Sequence, residues 1–229
     1  MRHRFPFLGL TSVPRTDALQ RAEHRVAVDA AGGTPTNKPQ RPKLSPSEAD
    51  ITAIALRLFA LPEREYHYAA VWFIRRHNRR LSPTFLPTAR TLLTTHAWWD
   101  TVDALAAHAV GSILRRFPDE RAIMDEWIHD DHMWLNRTAI IHQNGWRTDT
   151  DTDRLFRYCL ARADHPDFFI RKAIGWALRD YSRTDEQAVR RFVSEHHREL
   201  SGLSRTEALK WLTRNEGKEG AARHTVPHD

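Results

Sequence analysis

Helical segments that begin with aromatic residues recur along this chain at a nearly constant interval. They start at Tyr66, Trp98, Trp134 and Phe169, so the separations are 32, 36 and 35 residues, and each interval has room for one further helix. A helix pair that repeats at such a period is typical of an α-solenoid, in which equivalent helices lie side by side. Side chains at matching positions of these helices should therefore face one shared surface.

The rest of the sequence favours the same fold class. Glycine is scarce, with 9 residues in 229, and no segment alternates between apolar and polar residues as a β-strand does. We therefore predict an all-α chain, an α-solenoid of HEAT-like helical repeats with a curved, concave surface. Residues 1–213 should form a single repeat domain that contains a polar, proline-rich loop at 31–44, and residues 214–229 should form a polar C-terminal tail.

Helix starts are predicted from capping residues. Ser45 and Glu48 have the spacing of a capping box with Pro46 at the first helical position, which predicts a helix with Ser45 as its N-cap. Asp131 is expected to be the N-cap of the helix that contains Trp134.

Charge and cysteine content narrow the classes of partner and compartment. Lys and Arg (35) exceed Asp and Glu (29), which gives a net charge of +6 and favours nucleic acid or an anionic membrane surface as partner. No apolar run is long enough to span a membrane, and Pro6 interrupts an N-terminal apolar stretch that is too short for a secretory signal. Cys159 is the one cysteine, so the chain has no internal disulfide and no thiolate zinc cluster, as expected in a reducing cytoplasm.

The helix that starts near Trp98 carries the first candidate site residues. Trp98, Val102 and Leu105 share an apolar stripe that should face the core. Trp99 and Asp103 are neighbours at i and i+4, rotated by about 100° from that stripe. They could be a half-buried tryptophan beside a surface carboxylate, or part of a site.

The next two repeats supply cations and a second tryptophan. Arg137 could be an ordinary exposed arginine, an ion-pair partner of a nearby aspartate, or a site residue. Lys172 follows it by 35 residues and Trp176 by one further turn, and Trp176 could instead belong to the core. Because these residues recur on successive equivalent helices, we expect them to face one groove together with Asp103.

Metal and thiol chemistry are less favoured. Glu126, His129 and His132 are locally rich in ligands, but the Glu-x-x-His pattern of di-iron proteins requires a second copy, which the sequence lacks. Cys159 shares an apolar stripe with Leu155 and should be a core residue. We therefore expect neither a metal site nor a cysteine nucleophile.

Several motifs resemble those of a known family. They are Pro-Glu-Arg-Glu-Tyr at 62–66, Trp-Trp-Asp-Thr-Val-Asp at 98–103, Met-Trp-Leu-Asn-Arg-Thr-Ala-Ile at 133–140, the run from Phe168 to Tyr181, and Leu-Ser-Arg-Thr-Glu-Ala-Leu at 203–209. Together they resemble the DNA alkylation-repair proteins of the AlkD type, which are HEAT-like-repeat DNA glycosylases. The similarity spans about residues 4–212, in the same order.

The resemblance implies a site and a reaction. Asp103 would be the catalytic carboxylate, with Trp99 and Trp176 as its aromatic partners, and Arg137 and Lys172 would bind DNA phosphates. The reaction would be hydrolysis of the N-glycosidic bond of cationic N3- or N7-alkylated purines in duplex DNA. It would need no cofactor, and the protein would grip the backbone without flipping the base.

The resemblance also implies a setting and one departure. The protein would act as a monomer in the cytoplasm, associated with the nucleoid and not with a membrane. Family members carry a further N-terminal helical pair, with an aromatic site residue, that has no counterpart in this sequence. A non-catalytic helical-repeat module that binds DNA or protein remains the alternative, because most solenoids are scaffolds.

Overall fold

The computed structural model describes residues 4–30 and 44–223. Within these ranges every regular element is helical, which confirms the all-α class. The chain divides into two compact units, residues 1–96 and 97–229. Apart from Leu44, the proline-rich loop predicted at 31–44 lies outside the described residues.

The described part of the first unit forms four α-helices. The central pair packs together, and the first and fourth helices pack against one or other of them: α3 contacts α1, and α2 contacts α4. The helices are α1 (Ser12–Ala30), α2 (Glu48–Phe59), α3 (Arg64–Arg76) and α4 (Leu86–Thr94), with short 3₁₀ turns at Asn78–Arg80 and Pro83–Phe85.

The N-cap of α2 is Ser47, so the prediction of Ser45 was wrong. The Ser47 hydroxyl accepts from the backbone N–H of Asp50 at 3.1 Å, and the Asp50 carboxylate accepts from the N–H of Ser47 at 2.9 Å. The reciprocal capping box therefore uses Asp50 as its acidic member. Glu48 is left to accept from the backbone N–H of Ser82 at 2.8 Å.

A buried glutamate on α3 holds the N-terminal segment. The carboxylate of Glu65 accepts from the backbone N–H groups of Leu8, Gly9 and Leu10 at 3.0, 2.9 and 3.1 Å. Burial raises the pKa of Glu65, but these backbone hydrogen bonds outweigh burial and lower it overall. The segment turns at Gly9, whose φ of +86° suits glycine.

The second unit is built from the repeated helices. α5 packs on α8, α8 on α10, and α10 on α12, while α7, α9 and α11 alternate with them in sequence and pack against the same series. The elements are α5 (Trp99–Leu105), a π-helical turn (Ala106–Val110), α6 (Gly111–Arg116), α7 (Ile123–Trp127), α8 (Met133–Ile141), α9 (Thr152–Ala161), α10 (Phe168–Tyr181), α11 (Glu186–Glu195) and α12 (Gly202–Arg223), with 3₁₀ turns at Pro118–Ala122 and Arg147–Asp149. The helices predicted near positions 98, 134 and 169 are therefore neighbours in space. α12 continues past residue 213.

The start of α8 differs from the prediction. Its N-cap is His132, with no side-chain cap, so the prediction of Asp131 was wrong. Asp130 instead accepts from the backbone N–H of His132 at 2.8 Å. The amide of Asn136 closes the preceding turn by donating to the carbonyls of Trp127 and Asp130, at 3.0 and 2.8 Å.

Several side-chain hydrogen bonds between repeats span about one repeat length. This is the expected consequence of stacking, because equivalent positions of adjacent repeats lie side by side. The separations run from 32 to 36 residues in both units: Glu48 with Thr84, Arg64 with the carbonyl of His96, Asp125 with Tyr158, Ile128 (carbonyl) with Arg162, and Arg171 (carbonyl) with Ser204.

One glycine sets the distance between two stacked helices. Val102 and Leu105 of the predicted core stripe are fully buried, whereas Trp98, the N-cap of α5, is only partly buried. A Cβ at Gly111, just after the π turn, would overlap the backbone oxygen of His142 at the end of α8. Only glycine therefore allows this approach.

No helix in the described ranges has the length and apolar character to cross a membrane.

Candidate functional site

An aspartate on α5 and an arginine on α8 form a two-pronged ion pair. Arg137 Nε donates to Asp103 Oδ1 at 2.6 Å, and a terminal nitrogen of Arg137 donates to Oδ2 at 2.7 Å. The other terminal nitrogen donates to the backbone carbonyl of Phe169, in the first turn of α10, at 2.5 Å. Three neighbouring helices therefore meet at one guanidinium.

The two partners of this ion pair are buried to different extents. The side chain of Arg137 is 4% exposed, whereas that of Asp103 retains 15%. Burial raises the pKa of Asp103, and the hydrogen bonds and positive charge of Arg137 partly oppose that rise. The result is an oriented carboxylate with one face toward solvent and a raised affinity for a proton.

An aromatic cluster surrounds the first turns of the same three helices. Ring centroids lie 5.8 Å apart for Trp98 and Trp134, 5.0 Å for Trp98 and Phe169, and 5.3 Å for Trp134 and Phe169. The chain neighbours of two of these rings point outward instead. Trp99 is 44% exposed and Phe168 is 51% exposed. Large apolar side chains so exposed beside a polar site are typical of ligand contacts.

The remaining predicted residues lie on α10. Trp176 is half-buried, one turn after Lys172. The ammonium of Lys172 lies 2.6 Å from the carboxylate of Glu207 on α12, so the residue is ion-paired. Glu207 also binds Arg179 at 2.7 Å.

The predicted site residues thus fall into two groups. Asp103 and Arg137 are joined directly, and Trp99 lies one turn before Asp103 on the same helix. Lys172 and Trp176 lie on α10, the helix whose first turn supplies the Phe169 carbonyl that binds Arg137. The sequence predicted that all of these residues face one groove, and it offered an ion pair of Arg137 with a nearby aspartate only as an alternative to a site role.

Sequence reasoning missed Phe168 and Glu207. The exposure of Phe168 could not be predicted from hydrophobic periodicity. It is the first residue of α10 and belongs to an apolar run, and the pattern does not show which residue of such a run is exposed at the helix start. Glu207 had a signal in its spacing: it follows Lys172 by 35 residues, the repeat length, and has the opposite charge.

Among the described residues, no group of three His, Cys, Asp or Glu side chains could hold a metal ion. Cys159 is fully buried, and burial raises the pKa of its thiol, so it stays protonated at neutral pH. The polar chemistry of the site therefore rests on Asp103 and the cations around it.

The geometry of Asp103 suits stabilisation of positive charge. A carboxylate has about four acceptor positions on two oxygens, and Arg137 occupies one on each. One position per oxygen stays available to a water molecule or a cationic centre. Exposed aromatic faces such as that of Trp99 also attract cations.

Comparison with known proteins assigns the chain to a family. A family model described as DNA alkylation repair enzyme matches residues 36–212. The chain therefore belongs to the DNA alkylation repair enzyme family, and DNA is its partner. Among curated proteins, none matches the sequence.

Solved structures agree with this assignment. A protein of Enterococcus faecalis described as a predicted DNA alkylation repair enzyme is 26% identical, with a TM-score of 0.75, over 92% of this chain and 90% of that one. AlkD2 from Streptococcus mutans has a similar fold, with 15% identity and a TM-score of 0.57 over 86% of this chain and 96% of that one. The protein smu.31 from Streptococcus mutans UA159 is similar at 16% identity and a TM-score of 0.59, over 85% and 93% of the two chains.

Proposed function

We propose that the protein is a DNA glycosylase that hydrolyses the N-glycosidic bond of cationic N3- or N7-alkylated purines in duplex DNA. The observation that carries the proposal is the oriented, partly exposed carboxylate of Asp103 in a chain of a DNA alkylation repair family. The protein would act as a monomer in the cytoplasm, on nucleoid DNA, and would need no cofactor.

The alkylated base explains why one carboxylate is enough. Such a base already carries a positive charge, so it leaves with the electrons of the C1′–N bond and becomes neutral without a general acid. The sugar becomes an oxocarbenium-like cation, which Asp103 stabilises. Water then adds at C1′ and gives a proton to Asp103 or to solvent, which leaves an abasic sugar and a free base.

The other predicted residues would position the nucleotide. Trp99 and Trp176 offer aromatic faces to the cationic sugar. Arg137, whose side chain is 4% exposed, orients Asp103, and a phosphate oxygen would have to approach the two N–H donors that its three hydrogen bonds leave. Lys172, which is 37% exposed, would bind a second phosphate. Contacts of this kind would grip the backbone while the base stays stacked.

The test is release of 7-methylguanine from a duplex that contains one such lesion. We expect wild-type protein to release the free base, which mass spectrometry detects, and Asp103→Asn to reduce the single-turnover rate by about 10²–10⁴-fold. Asp153→Asn is the matched control, because it removes one carboxylate from an exposed position in the first turn of α9.

Two results would contradict the proposal. Wild-type protein that binds the duplex and releases no base would be a binding module and not a glycosylase. An Asp103→Asn variant that turns over at the wild-type rate would remove this carboxylate from the mechanism. Stability of the variant is checked by its melting temperature, and the rates are compared well below it.

A further inference from the structure

α10 and α12 approach each other more closely than side chains usually allow. A Cβ at Gly175 would lie 2.5 Å from the Cβ of Glu207 and 2.8 Å from the carbonyl oxygen of Ser204. The hydroxyl of Ser204 donates across the same interface to the carbonyl of Arg171 at 3.0 Å. Glycine at position 175 therefore lets α12 place the carboxylate of Glu207 directly against the surface of α10.

The carboxylate at this interface is buried and holds several cations. Glu207 is 6% exposed. Its Oε1 lies 2.6 Å from the ammonium of Lys172, and its Oε2 accepts from Arg179 at 2.7 Å, while the ammonium of Lys210 lies 3.6 Å away. The hydrogen bond from Lys172 lowers the pKa of Glu207, and the three positive charges add to that effect. One negative charge thus faces three positive ones, so the cluster keeps an excess of positive charge.

The cations border one of the aromatic residues of the proposed site. Lys172, Trp176 and Arg179 are at i, i+4 and i+7 on α10, so they share one side of the helix. The side chains of Lys172 and Arg179 are 37% and 25% exposed to solvent. Fixed, partly exposed cations beside an aromatic ring suit a nucleic-acid backbone.

We propose that Glu207 is a positioning residue for DNA binding, which holds Lys172 and Arg179 in the arrangement that receives adjacent phosphates of the duplex. The proposal rests on the proposed function, because it deepens the description of the same DNA-binding surface. Glu207 itself touches no DNA and acts through the two cations.

Positioning and simple electrostatics predict opposite effects of one substitution. Glu207→Gln removes a negative charge, so electrostatics alone would tighten binding to DNA. If Glu207 positions Lys172 and Arg179, the same change lets both side chains move and weakens binding. We expect the Kd for an undamaged 15-base-pair duplex to rise about tenfold, as when one charge-assisted contact is lost. The slope of log K against log salt concentration is negative and should become shallower by about 0.9.

Matched variants separate this role from a general one. Glu195→Gln removes the same charge from an exposed position at the end of α11, and should leave Kd unchanged or slightly lower it. Lys172→Met should weaken binding to a similar extent as Glu207→Gln, and the double variant should be little weaker than either single one. With alkylated duplex as substrate, Glu207→Gln should raise KM while kcat stays near its wild-type value.

Three outcomes would overturn the proposal. The first is a folded Glu207→Gln variant that binds DNA as tightly as wild type or more tightly. The second is a Glu207→Gln effect that adds fully to that of Lys172→Met. If Glu207→Gln does not fold, Lys172→Met and Arg179→Met are measured instead, and the third outcome is that both leave Kd unchanged. Wild-type protein that binds duplex but releases no base would overturn the glycosylase and leave this proposal standing.

Discussion

Replacing only one member of the Asp103–Arg137 ion pair should destabilise the protein strongly. Arg137→Met would leave a carboxylate that is 15% exposed without its guanidinium, and Asp103→Leu would leave a guanidinium that is 4% exposed without its carboxylate. Breaking a buried pair in this way typically costs about 3–5 kcal/mol, because one uncompensated charge stays inside.

Removing both charges together should cost much less. The double variant Asp103→Leu/Arg137→Met replaces the pair by apolar side chains, which is often close to neutral. It still loses the hydrogen bond to the carbonyl of Phe169, at about 1 kcal/mol. The sum of the two single effects should therefore exceed the effect of the double variant by about 4 kcal/mol or more.

Thermal unfolding followed by circular dichroism at pH 7.5 measures these differences. For a domain of 150–250 residues, 1 kcal/mol corresponds to about 2–4 °C, so each single variant should melt about 6–20 °C below wild type. The double variant should melt above both. Single effects that add to the double effect within about 0.5 kcal/mol would show that the two charges are not coupled, and the reasoning would fail.

The pH dependence of Arg137→Met provides a second check. Burial already raises the pKa of Asp103, and loss of Arg137 removes the groups that oppose this rise. A carboxyl with a raised pKa in the folded state binds a proton more readily when folded, so lower pH favours folding. Arg137→Met should therefore lose its deficit relative to wild type as the pH falls from 7.5 through the raised pKa of Asp103. A deficit that stays constant down to pH 4.5 would contradict this account.

Two further predictions concern the helix contact behind the site. Gly111→Ala should reduce the free energy of unfolding by about 1–3 kcal/mol, because its Cβ would overlap the backbone oxygen of His142. The control Gly202→Ala, whose Cβ would lie in open space, should be nearly neutral in the same melting experiment. Equal melting temperatures of the two variants would contradict the close contact. Burial lowers the pKa of His142 to about 4 from 6.5, so the protein should lose up to about 3 kcal/mol of stability as the pH falls from 6.5 to 4, and a His142→Phe variant should lack that loss. Identical pH profiles of melting temperature for the two proteins would show that folding does not lower the pKa of His142.

The layout of the repeats could be predicted from the sequence because it depends on periodic features. Aromatic residues at a constant interval marked α5, α8 and α10, and the stripe through Val102 and Leu105 is buried as expected. Single-residue boundaries were less predictable. Ser45 and Ser47 both precede an acidic residue at a suitable distance, and the choice between them depends on a reciprocal bond with Asp50 that the pattern alone does not rank.

Polar contacts between repeats were harder to predict, since they depend on burial. A charged residue on a helix is usually solvated, and this expectation holds for most arginines of the chain. It fails for Arg137, whose side chain is 4% exposed and is covered where α5, α8 and α10 meet. No local pattern around Arg137 records that cover, which is assembled from three repeats.

Spacing locates such pairs, and burial distinguishes the Asp103–Arg137 pair from an exposed one. Asp103 and Arg137 are 34 residues apart, as are Arg115 and Asp149, and both couples combine opposite charges one repeat apart. The Arg115–Asp149 pair is about half exposed on both sides, so water screens it and it contributes little to stability. The Asp103–Arg137 pair is desolvated, so it constrains the orientation of a carboxylate at a cost to folding that an apolar pair would avoid. This costly pair lies where three helices meet, two of which also carry exposed aromatic rings, Trp99 and Phe168. A costly carboxylate beside such rings fits the proposal that Asp103 serves the chemistry.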